Sequence, residues 1–242
     1  MIKEKQNAVI FMPVRMNSKR ILNKNIQPLC NTPLFCWSLN KIKHLGLPVY
    51  VYSNWPDELK DAAKGRFPDT FEKKFPNVTF MKRPHELDDD NTVGIDIYKS
   101  FAERVPSDIY MLVHCTSPFI KLDTYMKVLQ SVISKRYDSA YTVQQIKTFT
   151  WFNNQPLNFS YPRPQTQKLQ PVYVETSGAY CYTKDILELN QRSGGMENQI
   201  IVDNVEAVDI DTPEDLDCAR AMATYYRLDK GSEYDFKESG KK

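Results

Sequence analysis

This 242-residue chain predicts an α/β fold, a mostly parallel central sheet with helices on both faces. Two observations carry that reading. From residue 8 onward, short apolar runs alternate with longer segments of helical spacing. The first run, "AVIFMPV" (8–14), is apolar at nearly every position, as a strand covered on both faces must be.

The elements follow in order. After a basic loop, "NTPLFCWSLNKIKHLG" predicts a helix, with Thr32 as N-cap and Pro33 in the first turn. Phe35, Leu39, Ile42 and Leu45 fall near helical spacing, and Gly46 follows the end. A second strand spans 48–54, "PDELKDAAKGRF" is a polar helix, and a third strand spans 78–84. Asn91 or Thr92 is placed to cap a helix running to about Arg104. Residues 108–117 form the most apolar strand, 121–137 the most regular helix, and a strand follows near 138–145.

The alternation then lapses between 146 and 174, where aromatics, Pro, Asn and Gln crowd together without helical period. This predicts an inserted hairpin or arm that covers a ligand or packs on a second subunit. A strand at 178–184, a short helix, strands across 199–210 and a helix from Pro213 to about Arg227 complete the pattern. The expected organisation is one domain over 1–228, carrying the arm, and a polar tail over 229–242.

Composition narrows the function. With 41% hydrophobic and 26% charged residues, the chain has the composition of a soluble globular protein. A net charge of +2 gives nucleic-acid binding no global electrostatic support. No run approaches the roughly 18 apolar residues of a membrane span, and the N-terminus lacks the apolar core of a secretory signal. Five scattered cysteines without CxxC pairs read as reduced thiols, so a cytoplasmic location is expected. The three histidines show no zinc-ligand spacing with them.

In such sheets ligands bind beyond the carboxyl ends of the strands. After the first strand, "MPVRMNSKRILNKN" concentrates Arg15, Lys19, Arg20 and Lys24 without a glycine. Ser53-Asn54 follows the second strand, Arg83 and the acidic run 88–90 the third, and His114, Thr116 and Ser117 the fourth. Near the chain's end, "VDIDTPEDL" sets Asp209 and Asp211 two apart on an expected strand, facing the same side. Cations that bind phosphate oxygens and paired aspartates that suit Mg²⁺ are the two halves of a metal–polyphosphate site. The loop has no GK[ST] ending, which speaks against a Walker-type ATPase. Each piece keeps a plain alternative: solvated surface for the basic loop, a helix cap for Asp211, a satisfied core histidine for His114, and a strand-ending turn for Thr116-Ser117.

Taken in order, these pieces resemble the cytidylyltransferases that activate acidic sugars, above all the CMP-sialic acid (N-acylneuraminate) synthetases. "MPVRMNSKRILNKN" resembles that family's opening motif, "KRPHELDDDNT" its RP-x-x-L segment, and "LVHCTSPF" its LLQPTSPL strand. "VETSGAYCY" is similar to its ENGAFYI segment and "VDIDTPEDLDCA" to its IDIDTPEDL ending, so the likeness runs from about residue 8 to 220.

The resemblance implies a Rossmann-like nucleotidyltransferase fold with a protruding dimerisation arm, hence a homodimer. It also implies CTP and Mg²⁺, with an acceptor hydroxyl attacking the α-phosphate and pyrophosphate leaving. Carried over by position, Arg15, Lys19 and Lys24 grip the triphosphate and, with Asp211, form the catalytic set. Asn17, Ser18, Asn25 and Arg83 join the nucleotide site, and Asp209 and Asp211 bind the metal. On the acceptor side stand His114, Thr116, Ser117, Arg163, Gln165, Gln167, Glu175 and Ser177.

The departures from the family pattern cluster on that acceptor side. The family's Gln is His114 here, the position after "TSPF", commonly Arg, is Ile120, and two arginines fall on Gln165 and Thr166. Arg163 lies near enough in sequence to substitute. The expected activity is CMP transfer to sialic acid or a related nonulosonic acid. Transfer to an eight-carbon sugar acid, a polyol phosphate or a phosphonate is the alternative, and a regulatory nucleotide binder without turnover is a third reading.

Overall fold

A computed structural model of the chain describes residues 7–89 and 91–228. The tail expected over 229–242 lies outside the described residues, as does Asp90 of the acidic run. Seven strands form the central sheet: β1 (Ala8–Pro13), β2 (Val49–Ser53), β3 (Val78–Lys82), β4 (Ile109–Val113), β5 (Ser139–Ile146), β6 (Val172–Thr183) and β7 (Glu197–Val202). The helices are α1 (Leu34–Ile42), α2 (Pro56–Arg66), α3 (Phe71–Lys74), α4 (Gly94–Arg104), α5 (Leu122–Ile133), α6 (Lys184–Glu188) and α7 (Pro213–Tyr225).

Strand order across the sheet is β7-β5-β6-β4-β1-β2-β3. Every pairing is parallel except those of β6, which runs antiparallel to both β4 and β5. The sheet is therefore mostly parallel, as the sequence predicts. From β1 the chain goes to β2 and β3 on one side, then returns to place β4 on the other. The order reverses between β1 and β4, and a crevice opens where their carboxyl ends part.

Alternation along the strands feeds two cores. Ile10, Met12, Val51, Met111 and Val113 face α1, α2, α3 and α5. Val9, Phe11, Tyr52, Tyr110, Leu112 and Tyr180 face α4 and α6, where Phe11 stacks on Phe101 with ring centroids 4.5 Å apart. Truncating a buried aromatic such as Phe11 to alanine costs about 3–5 kcal/mol. A third cluster seats α7 against Leu29, Leu34 and Trp37 through Leu216, Ala219 and Ala223. That contact carries the chain's end back beside the loop after β1.

Several local expectations change. Thr32 does not cap α1: residues 28–29 and 32–33 pair as a tight antiparallel ribbon, and the Thr32 hydroxyl accepts from Arg66 Nε at 3.1 Å. The first N–H of α1, on Leu34, goes instead to the Gln27 carbonyl at 3.0 Å. Neither Asn91 nor Thr92 caps α4, whose N-cap is Val93 with no side-chain bond. The Asn91 amide donates to the Asp89 carboxylate, and the Thr92 hydroxyl donates to the Glu86 carbonyl. Strand β4 stops at Val113, so His114, Thr116 and Ser117 lie in the loop beyond it.

The segment carrying Asp209 and Asp211 is not a strand. It is irregular chain tied to the β4 loop by a bond from the Ile210 N–H to the Thr116 carbonyl, 2.9 Å. The aromatic interlude leaves the sheet after Ile146, forms a small hairpin (Trp151–Phe152 with Gln155–Pro156), and rejoins at Val172, earlier than 178. None of the five cysteines is in a disulfide. Among the described residues no helix is long and apolar enough to cross a membrane.

Candidate active site

At the reversal point a cavity of about 310 Å³ is lined by Arg15, Asn17, Ser18, Lys19, Arg20, Lys24 and Asn25 from the loop after β1. His114, Cys115 and Thr116 from the loop after β4 close its other wall. The expected phosphate-binding residues thus share one space at the expected place.

The basic loop is shaped by side chains in place of glycine. The Asn25 amide donates to the Arg15 carbonyl at 2.6 Å, and Asn25 Oδ1 accepts from Cys115 Sγ at 3.2 Å. Asn25 thereby ties the β1 loop to the β4 loop. Ser18 Oγ accepts from the Ile21 N–H at 3.4 Å, within the turn. From outside, the Arg15 guanidinium donates to the Asp89 carbonyl and the Asn17 amide to the Asp88 carbonyl, at 3.1 and 3.2 Å.

Those two carbonyls are held by a buried ion pair between Arg83 and Asp88. Arg83 is 1% exposed and is not among the residues lining the cavity. Burial pulls its pKa below the ordinary arginine range, opposed chiefly by the Asp88 charge. Here Arg83 braces the segment that holds Arg15 and Asn17.

Opposite the loop stand the aspartates. Thr212, not Asp211, caps α7, in a capping box with Asp215. The Asp211 carboxylate is therefore spent elsewhere: Oδ1 takes Lys24 Nζ at 3.1 Å and Arg20 Nη2 at 2.9 Å. Lys24 is buried and donates also to the Ile210 carbonyl at 2.8 Å. Arg20, a cation of the opening loop, joins the site through this pair. Asp209 presents a buried Oδ1 with no hydrogen-bond partner. A buried carboxylate oxygen without a hydrogen-bond partner, with a second carboxylate two residues further along the chain, is the kind of oxygen donor that fits Mg²⁺, which binds through one or two carboxylates and takes its remaining ligands from water and phosphate. No cluster of three or more His, Cys, Asp or Glu that could hold a metal exists among the described residues.

His114 sits on the far wall. Burial first, then the nearby Arg192 charge, lowers its pKa to about 4, so the ring is neutral at pH 7. Its Nε2 lies 3.4 Å from Tyr98 Oη. Ser117 is fully buried beneath this wall, its hydroxyl without a partner. Gly178 of β6 passes so close that an added Cβ would meet Ile120 at 2.8 Å and Ser117 at 3.2 Å. The register of β6 slips between Glu175 and Tyr180, and the backbone of Ser177 within that bulge hydrogen-bonds the His114 ring.

Of the acceptor-side expectations only His114 and Thr116 line this cavity; Ser117, Glu175 and Ser177 stand behind its wall, and Arg163, Gln165 and Gln167 lie out on the arm. Arg163, exposed on the arm, lies 5.6–5.8 Å from the ring centroids of Phe149, Trp151, Phe159 and Tyr161. Gln165 and Gln167 are exposed on the arm and line neither large cavity. The arm folds around its own aromatic cluster and its Asn158 bonds, which hold these three side chains out on the excursion.

Sequence reasoning missed Tyr98 and Arg192, which meet Glu175 and His114 only in three dimensions. Tyr98 reads as an apolar-face residue of a helix, and Arg192 as one charge in the polar loop "NQRSGG".

A family model described as Cytidylyltransferase matches residues 9–234. Among solved structures, the chain is similar to a CMP:2-keto-3-deoxy-manno-octonic acid synthetase complexed with CTP, with TM-score 0.61 and 19% identity over 91% of this chain and 99% of that one. It is also similar to a 4-diphosphocytidyl-2C-methyl-D-erythritol synthase from Anaerococcus prevotii DSM 20548 (TM-score 0.64, 10% identity, 91% and 97% covered). The bifunctional IspDF from Campylobacter jejuni matches with TM-score 0.60 at 14% identity, over 87% of this chain and 53% of that one.

Proposed function

The chain belongs to the cytidylyltransferase family, and we propose that it transfers CMP from CTP to the hydroxyl of a carboxylated sugar, a sialic or related nonulosonic acid. The observation that carries this is the cavity at the β1/β4 reversal, where Arg15, Lys19, Arg20 and Lys24 line one space and the last two meet the Asp211 carboxylate. Four cations in one pocket match a triphosphate, and they stand where charge builds as pyrophosphate leaves.

In the reaction the acceptor oxygen forms a bond to the α-phosphorus as the bond from that phosphorus to the bridging oxygen breaks. The hydroxyl proton passes to solvent or base, and the electron pair leaves on pyrophosphate. Arg15 is aimed by the Asp89 carbonyl and Lys24 by the Ile210 carbonyl, so both are positioned before substrate arrives. Asp209 and Asp211 are the residues that would hold Mg²⁺, which supplies charge neutralisation on the phosphates. Asp211 orients Lys24 and Arg20 at the edge of the cavity through their shared ion pair. The arm, with exposed Trp151, Phe152 and Tyr161, suits a homodimer contact. A cytoplasmic setting agrees with five cysteines of which none is in a disulfide.

Pyrophosphate release with Mg²⁺, crossing CTP, UTP and ATP with a panel of acceptors, tests the proposal. Turnover with CTP and a nonulosonic acid is expected. Turnover only with an eight-carbon acid, a polyol phosphate or a phosphonate moves the assignment to that acceptor. CTP binding without turnover on any acceptor overturns the catalytic reading.

A further inference from the structure

A second cavity, about 540 Å³, opens beside the first and is built from two segments nearly a hundred residues apart. Val93, Gly94, Ile95 and Tyr98 at the start of α4 form one wall, and residues 190–194 with Glu197 form the other. The two cavities adjoin where Tyr98 Oη, lining the second, meets His114 Nε2, lining the first, at 3.4 Å. A molecule in the second cavity is therefore next to the His114 wall of the first.

Arg192 is the cation of this cavity, and it is held on three sides. Its guanidinium lies 4.3 Å from the centroid of the Tyr180 ring. One amino group donates to Glu175 Oε1 at 2.7 Å, and a further hydrogen bond joins it to Tyr98. Tyr180 Oη donates to the same Glu175 oxygen, so Glu175 fixes the pair from behind. The Arg192 side chain is still 40% exposed, and a guanidinium carries five N–H donors, more than these partners use. Asn190, Gln191, Ser193 and Glu197 supply hydroxyl-binding groups around it, with Asn190 held by Lys99.

We propose that this second cavity is the acceptor pocket and that Arg192 binds the acceptor's carboxylate, taking the place of the cations absent at Gln165 and Thr166. This rests on the CMP-transfer reading above. The carboxylate meets the free edge of the guanidinium in a charge-assisted pair, and the hydroxyls of a polyhydroxylated acid meet the amides, Ser193 and Glu197. His114 is neutral and cannot be the cation. Arg163 lies beside the arm's rings and lines neither cavity. Among the described residues that line this cavity, Arg192 alone carries a positive charge.

The test compares wild type with R192Q and R192K, using CTP, Mg²⁺ and N-acetylneuraminic acid, a second nonulosonic acid and an eight-carbon 2-keto sugar acid. R192Q is expected to raise the acceptor KM about 30-fold while the KM for CTP moves less than about twofold. R192K is expected to restore little, since an ammonium lacks the planar fork. The methyl ester of the preferred acid is expected to be as poor a substrate for wild type as the acid is for R192Q. An unchanged acceptor KM in R192Q, or an ester used as well as the acid, overturns the assignment.

Should R192Q also lose CTP affinity, the ester and R192K decide alone by the same criteria. Should wild type turn over none of the acids, the function proposed above fails, and calorimetry with the same acids and CTP judges the pocket separately. Binding to wild type that is lost in R192Q supports it, and binding to neither overturns it.

Discussion

The two cavities that meet at the His114–Tyr98 contact are built by opposite means. Most of the first is made by one stretch, residues 13–25, whose bends are held by its own Asn25 and by the carbonyls of Asp88 and Asp89. The second joins the start of α4 to the loop after α6, segments that neither adjoin in sequence nor share a motif. In the first, several cations line one space, two of them paired with Asp211. In the second, one cation is neutralised and aimed by one carboxylate. The difference follows the chemistry each would face. A triphosphate needs many charges wherever its acceptor differs, while a single carboxylate needs one cation in a defined place.

The strongest way to break this comparison is to remove the charge on the nucleotide side. Asp211→Ala and Arg15→Ala are each expected to lower kcat about 100- to 1,000-fold. Both side chains are partly exposed at loop positions, so the melting temperature should stay within a few degrees of wild type. Pyrophosphate release and a thermal melt check this, and near-normal turnover in either variant would put the site elsewhere. Lys24→Met comes next, with a loss of about 100-fold. Its loss leaves Asp211 with Arg20 as its one remaining ion-pair partner shown here, so CTP affinity measured by calorimetry should fall alongside the rate.

On the acceptor side effects should be smaller and confined to one substrate. Arg192→Gln stands at the top of these, as argued above. Arg163→Ala sharpens the contrast: its charge is spent on four aromatic rings, so the acceptor KM should change less than about twofold. A rise comparable to that of Arg192→Gln would return Arg163 to the acceptor site.

The smallest effect separates the two sides by pH. His114 has a folded-state pKa of about 4 against an ordinary 6.5. Between those values the unfolded chain binds the proton and the folded chain does not, so the unfolded state binds more protons and stability rises with pH. The contribution is complete above pH 6.5 and is lost as pH falls toward 4. His114→Gln should therefore reduce the drop in melting temperature between pH 7 and pH 4.5 by a few degrees, read by calorimetry at both pH values. An unchanged drop would show that His114 is not the group that titrates.

Much of this molecule was legible in its residues. The apolar run 8–14 had to be a covered strand, and the cations after it had to sit at that strand's end, because a parallel sheet turns its loops outward there. Arg83 was legible as a residue following a strand but not as a buried brace, since burial depends on Asp88 folding back beneath it. Thr32 shows the reverse failure: its local signal for a helix cap was sound, and the ribbon of residues 28–33 overrode it.

By itself, then, the sequence determined the strand and helix alternation and the cationic loop, because each depends on neighbours within a few residues. The strand expected under Asp209 and Asp211 did not form. Only the tertiary structure decided that β6 runs antiparallel and that Arg192 meets Tyr98, Glu175 and Tyr180 beside His114. Such contacts join residues that are distant in the chain. No local periodicity encodes them, and they form only once the sheet order has brought the ends of β4 and β6 together.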